Sequence, residues 1–261
     1  MPQVMNVNRN VCAQCGAVMP PAALVCPGCG HQHPPPYAVA PAAFAPATSG
    51  AYRSLSGLST AVVILLGVNL LNTLYSLALE WRGYGMMGQL ANGAHVDEGL
   101  RTSLGGLMEM AGNLEIGLTV ITAIVFLTWV YRAHKNLDSL RVGALEYSHG
   151  WAVGWFFVPI MNIVRPKQVL DEIWEGSEAP GNSMITGVWW ACWILSGVLS
   201  RVAGAMATAN AEPSSFVTMF QMLMVDSLLV LGSGAAAITI VIAIQKGQAA
   251  KAARLSRPAY Q

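Results

Sequence analysis

The sequence predicts an all-α integral membrane protein with four transmembrane helices, preceded by a small cysteine-bearing module. Three observations carry that reading. The 261 residues are 54% hydrophobic and only 10% charged, where soluble domains carry about 25% charged residues, and mean hydropathy is +0.48. Four separate stretches are apolar enough to cross a bilayer, which takes about 20 residues of helix. Four of the five cysteines fall within the first 30 residues, in two C-x-x-C-G pairs. The net charge of +1 gives no global field that would draw nucleic acid or an acidic partner. Met1 to Gln14 lacks an apolar core, so no cleaved secretory signal is expected and the first apolar segment should direct insertion and stay.

Residues 1–30 form the first unit. Cys12-x-x-Cys15 and Cys26-x-x-Cys29 each run into a glycine, Gly16 and Gly30. Such a turn points two thiolates at one ion, and the glycine lets the backbone fold back with its amides toward sulfur. Four thiolates make a closed tetrahedral set, which suits structural Zn2+ rather than a catalytic metal. Thirty residues cannot build a core, so zinc binding would supply the folding energy. Thiol–disulfide exchange is the minor alternative. His31 and His33 follow directly, but four cysteines already fill a site, so both are expected in the linker. The module carries Arg9 and no lysine; the basic footprint of phosphate binding is missing, and a protein partner is expected instead of nucleic acid. The segment resembles the short zinc ribbon found at the N-termini of many bacterial membrane proteins.

Residues 31–57 are Pro- and Ala-rich and read as a semi-rigid linker, reaching on the order of 80 Å if fully extended as polyproline. The membrane domain is expected over 58–245, with spans at about 58–79, 116–131, 184–205 and 221–244, and a basic tail over 246–261. Of the fourteen Lys and Arg, two precede the first span, five lie in the 131–183 loop and four in the tail. Placing both termini in the cytoplasm puts those eleven inside. The expected location is the bacterial cytoplasmic (inner) membrane, with the cysteines in a reducing compartment.

The outer 80–115 segment is expected to be a long loop with a separate helix after Asp97, because Leu100, Leu104, Leu107, Met108 and Ala111 share one helical face. Within the spans, Asn69, Asn72 and Ser76 share a face of the first, and such residues usually hydrogen-bond between helices. Arg201 and Asp226 lie at similar depth in the last two spans, and an intramembrane charge is costly unless paired; the two are expected to pair. Gly232, Ser233, Ala236 and Ala237 permit close helix approach, within the bundle or between copies in a homo-oligomer.

Between the second and third spans runs GWAVGWFFVPIMNIV, residues 150–164. It is too short to cross a bilayer and too apolar for an ordinary loop. An interfacial or re-entrant cytoplasmic segment is expected, with Trp151 and Trp155 at headgroup level and Pro159 breaking the helix. Asn162 could satisfy backbone at membrane depth. An amphipathic helix should follow Pro166 and stop at Gly176, its outer arc carrying Lys167, Asp171, Glu172, Glu175 and Glu178. That acidic arc would suit a protein partner. His134 is expected on a solvated or headgroup-facing surface.

Tyr131-Arg132-Ala133 with Asn136, then WAVGWFFVPIMNIVRP leading into EIWEGS, resembles the bacterial membrane domain of unknown function 4328. The resemblance implies a four-span domain over about 58–245 with signature positions at Arg132, Asn136, Trp151, Trp155, Pro159, Asn162 and Pro166. It implies no chemistry. The sequence contains no hydrolase, metalloprotease or phosphate-loop motif, so no catalytic residue and no enzyme activity is expected. The expected role is a membrane-anchored adaptor or regulator using the ribbon or the 166–176 helix for protein contact, alongside the bilayer itself. The alternative is a small-solute transporter or channel component acting as an oligomer, and a lipid-sensing role ranks third.

Overall fold

The computed structural model of the protein describes residues 12, 14–18, 25–31, 51–209 and 212–257. Most of the expected linker, His33 and the end of the basic tail lie outside those residues. The chain divides into two compact units, 1–49 and 50–261. Among its described residues the second contains six α-helices: α1 (Ser56–Ala91), α2 (Glu98–Ser139), α3 (His149–Gly154), α4 (Met161–Gly176), α5 (Met184–Ala209) and α6 (Pro213–Leu255).

Helices α1, α2, α5 and α6 are long and apolar enough to cross a membrane. Their outward faces are apolar as well: Ile64, Leu71, Ile116, Ile124, Leu195 and Leu228 are each more than half exposed. A soluble bundle buries such residues; a bilayer accepts them. At 1.5 Å per residue, α1, α2 and α6 measure roughly 54–65 Å, about twice the hydrocarbon thickness, so each projects well beyond the apolar layer.

That length corrects the expected outer loop. Helix α1 does not end at Leu79 but runs to Ala91, and the helix after Asp97 is continuous with the second span. Asp97 caps α2 by accepting from the Leu100 amide at 2.8 Å, which satisfies an otherwise orphaned donor. The two extensions form a helical hairpin whose apolar seam is Leu79, Met86, Leu104 and Ala111. The predicted Leu104 and Ala111 face was right in phase, and its partner is the prolongation of α1.

Helix α6 is the centre of the bundle, packed against α5 and α1. Its small residues allow this. A Cβ on Gly234 would lie 2.5 Å from Leu70 of α1, and one on Gly232 would lie 3.5 Å from the Cys192 sulfur of α5. Ser233 donates to the Trp189 carbonyl at 3.3 Å, and Ala236 and Ala237 are buried.

The central segment folds as α3, a 3-10 turn at Trp155–Phe157, and then α4. It starts and finishes at the same end of the bundle, as a short apolar run must. The break falls at Pro159–Ile160: Ile160 has φ +69°, and the Met161 amide donates to the Pro159 carbonyl at 2.8 Å. This is a γ-turn of the strained sense, rare for a β-branched residue. Helix α4 then starts at Met161, five residues before the expected start, and passes through Pro166. In this second turn proline has no N–H to give the Asn162 carbonyl, so α4 forgoes one intrahelical bond there. The helix stops at Gly176 as expected, and its apolar arc of Val169, Leu170, Ile173 and Trp174 is buried.

Candidate functional site

Three constellations carry polar chemistry. The first is the cysteine centre of the N-terminal unit. All four sulfurs lie within 4.8 Å of one another, with Cys12–Cys29 at 3.8 Å and Cys15–Cys26 at 3.6 Å. The edge of a tetrahedron with metal–sulfur bonds of about 2.3 Å is about 3.8 Å, so the donor set fits one such ion. The two knuckles repeat the same local geometry. Gly16 and Gly30 sit at φ +72° and +70°, and their amides return to the carbonyls of Cys12 and Cys26 at 2.9 Å. The backbone amides of Cys29 and Gly28 hold the Cys26 thiol down to about 6, while Cys15, hydrogen-bonded to the other sulfurs, is pushed up to about 12, so the thiolate is favoured at Cys26 and not at its neighbour.

The second is a cavity of 440 Å³ among the apolar helices. The backbones of α2 and α5 do not meet. Phe126 and Trp189 face each other across the gap with ring centroids 6.5 Å apart, while α1 and α6 close the back. Phe156, Phe157 and Asn162 of the central segment form its floor, and Asn69, Glu115, Thr119, Thr122 and Ser196 supply polar wall. The Asn162 side-chain oxygen is buried and has no hydrogen-bond partner. Nearer the hairpin end, Glu80 accepts from the Ser227 hydroxyl at 2.9 and 3.1 Å.

The polar residues expected inside the spans divide between these surroundings. Asn69 donates to Thr122 of α2 at 2.8 Å and to the Leu65 carbonyl. Asn72 reaches the Ala111 carbonyl at 3.4 Å. Ser76 is half-buried on the same helix. The stripe therefore faces α2 and bonds across it, while Asn69 also borders the cavity. The expected Arg201–Asp226 pair does not form. Arg201 lies back along its own helix, donating to the Gly197 carbonyl at 2.6 Å, because the missing side chain of Gly197 leaves a notch for the guanidinium. Asp226 turns instead toward Ser196 of α5, leaving its Oδ1 buried without a hydrogen-bond partner.

The third constellation lies where α2, α4 and α6 end together. Asn136 donates to Gln248 of α6 at 2.8 Å and to the Arg53 carbonyl at 2.9 Å, and accepts from the Arg53 amide. Gln248 in turn donates to the Ala133 carbonyl at 2.8 Å and to Ser177 at 3.0 Å. Both side chains are buried, and together they tie the lead-in to α1, helices α2 and α6, and the α4–α5 turn into one network. Beside it, His134 is wholly buried, contrary to the expected solvated position. Its Nε2 meets Glu172 at 3.0 Å and its Nδ1 meets His149 Nδ1 at 2.8 Å. His149 Nε2 meets Asp138 at 2.8 Å.

Among the remaining signature positions, Trp151 stacks on Trp155 with centroids 4.5 Å apart, and Arg165 lies over both Trp155 and Tyr147. Pro159 is exposed at the turn, Arg132 is half-buried and Pro166 is buried. The acidic arc of α4 is largely occupied within the chain. Asp171 holds Lys167 at 2.6 Å, Glu172 meets His134, and Glu178 pairs with Lys251 at 3.2 Å and with Arg254.

Residues 104–246, more than half of the chain, match the family described as Domain of unknown function (DUF4328). The chain belongs to this family. The matched range begins in α2 and ends in α6, so it takes in the central segment, the cavity floor and the His134–His149 cluster, and leaves out α1 and the cysteine centre. No curated protein matches the chain. No solved structure matches it either.

Sequence reasoning missed Gln248 and the Asp138–His149–His134–Glu172 chain. The i, i+4 spacing of His134 and Asp138 placed them on one helix face and was the available signal. Nothing in the sequence indicated that α4 would cover that face.

Proposed function

We propose that the protein is a membrane-anchored adaptor or regulator of the bacterial inner membrane. Its N-terminal ribbon, ordered by one structural Zn2+, would make the protein contact, and the four-helix domain would hold the ribbon at the cytoplasmic face. The observation that supports this most is the cysteine cluster, whose sulfur spacing suits a closed four-thiolate site with no open coordination position. Cys12, Cys15, Cys26 and Cys29 would hold the ion, which would contribute folding energy to a unit too small to have a core. Val18 and Val25, 76% and 50% exposed, give that unit an apolar surface for a partner. The distribution of Lys and Arg favours both termini inside. This reading assigns the protein no catalysis.

The test combines zinc content with in-membrane crosslinking. The purified chain should carry about one zinc, lost in Cys12→Ser/Cys15→Ser. Partners crosslinked by the intact chain should vanish in that variant at matched expression. A partner set unchanged by loss of zinc would overturn the reading.

A second reading, a small-solute transporter component working as an oligomer, is favoured by the 440 Å³ cavity and its polar wall. Flux in reconstituted vesicles that falls with Asn162→Leu would support it. Vesicles without uptake or conductance would remove it.

A further inference from the structure

The Asp138–His149–His134–Glu172 chain has three hydrogen bonds, and each needs one proton. The first joins Asp138 Oδ2 to His149 Nε2, the second joins the two Nδ1 atoms, and the third joins His134 Nε2 to Glu172 Oε2. A neutral imidazole has one N–H and one acceptor nitrogen. Two neutral rings between two carboxylates therefore supply two protons for three bonds, and one link must then set acceptor against acceptor. At 2.8 Å two facing nitrogen lone pairs repel, and so does a lone pair facing a carboxylate oxygen. A third proton would satisfy all three links at these distances.

We propose that these four residues form a proton-binding site that takes up one proton beyond its neutral complement, and that this proton holds α3 against α2, which is itself bonded to α4 through His134 and Glu172. Burial separates the rings. His134 is 0% exposed and His149 27%, so the third proton leaves its charge on His149, beside Asp138. His134 then donates from Nε2 to Glu172 and accepts at Nδ1. Glu172 is committed as an acceptor on its other oxygen too, which takes the Glu146 amide at 2.5 Å. The remaining charged groups nearby are engaged elsewhere. The Glu146 carboxylate accepts from Tyr147 at 2.7 Å and lies 3.6 Å from Arg165. Lys135 lies over the Tyr131 ring, and Lys167 is paired with Asp171.

The consequence reaches the cavity. His149 is the first residue of α3, which leads without interruption into Phe156 and Phe157 of the cavity floor. Loss of the third proton leaves the two Nδ1 atoms lone pair to lone pair, and so breaks one of the two bonds by which His149 fastens this segment to α2. The site therefore couples proton uptake, over the range of about pH 5–8 in which imidazole changes charge, to the fastening of the floor.

The experiment uses the full chain in nanodiscs. Ring nitrogens are followed by histidine-selective ¹⁵N NMR, with assignments from His134→Gln and His149→Gln. Exchange protection of residues 145–157 is followed by hydrogen–deuterium exchange corrected for intrinsic pH dependence. The two rings should titrate as a coupled pair, with His134→Gln and Asp138→Asn each moving the His149 midpoint down by at least half a pH unit. Protection of 145–157 should fall about tenfold in the wild type as pH rises through that midpoint, and by less than twofold in His149→Gln. Independent titration of the rings, each indifferent to loss of the other, would overturn the proposal. So would wild-type protection that does not change with pH while the folded far-UV spectrum is retained.

Discussion

Gly247 lies on α6 where that helix passes the turn between α4 and α5. A Cβ placed there would lie 2.5 Å from the Ser177 carbonyl oxygen, 2.8 Å from the Ala179 Cα and 3.0 Å from the Ala179 nitrogen. All three are backbone atoms, so no rotamer change relieves the contact. Gly247→Ala must therefore move α6 off the turn by roughly an ångström to regain van der Waals distance. Overpacking of this kind costs about 1–3 kcal/mol. The same displacement disturbs the bonds from Gln248 to Ser177 at 3.0 Å and from Lys251 to the Gly176 carbonyl at 2.9 Å, each worth about 1 kcal/mol. Alanine returns about 1 kcal/mol in helix propensity. The net loss comes to about 2–4 kcal/mol on these figures. At about 2–4 °C per kcal/mol for a chain of this size, the melting temperature should drop by about 4–16 °C. The assay is thermal unfolding in detergent by far-UV circular dichroism. Gly67→Ala on α1 serves as the control, because no atom lies within 4 Å of its added Cβ; it should melt at or above the wild type. If Gly247→Ala melts with that control, α6 does not approach the turn and the reasoning fails.

Two further outcomes follow from the same geometry. The Asn69–Thr122 bond at 2.8 Å should give a double-mutant-cycle coupling of about 0.6–1.7 kcal/mol for Asn69→Leu with Thr122→Val; zero coupling would mean that the stripe does not bond across to α2. Arg254, and after it Lys251, hold the Glu178 carboxyl below its ordinary range. A carboxyl depressed in the folded state stabilises above its unfolded value of about 4.3, and that contribution is lost as pH falls through the folded value. Glu178→Gln should therefore flatten the decline in melting temperature below about pH 5 while changing the neutral value little, since the group is exposed. An acid limb identical to the wild type would show that the pair contributes nothing to folding.

Some of this architecture follows from local properties of the chain. Whether a stretch of α5 or α6 prefers lipid depends on its own transfer free energy and length, and both can be summed residue by residue. The cysteine knuckles are equally local, since four residues and a glycine set the direction of each thiol pair. The end of α4 at Gly176 and its buried apolar arc follow from spacing alone.

Rotation and reach about each helix axis are not local. Arg201 and Asp226 share a depth, which the sequence determines, but a pair also needs facing directions, and the notch at Gly197 with Ser196 beside Asp226 turns them apart. The same limit hid the burial of His134: its own helix face is polar, and only α4 arriving with Glu172 and α3 arriving with His149 enclose it. The sequence by itself determined that four apolar helices and a four-cysteine cluster would form, because hydrophobic transfer and short-range turn geometry are additive along the chain. The tertiary structure alone decided which buried polar groups meet, because a hydrogen bond forms only when two helices bring donor and acceptor within about 3 Å in the right direction.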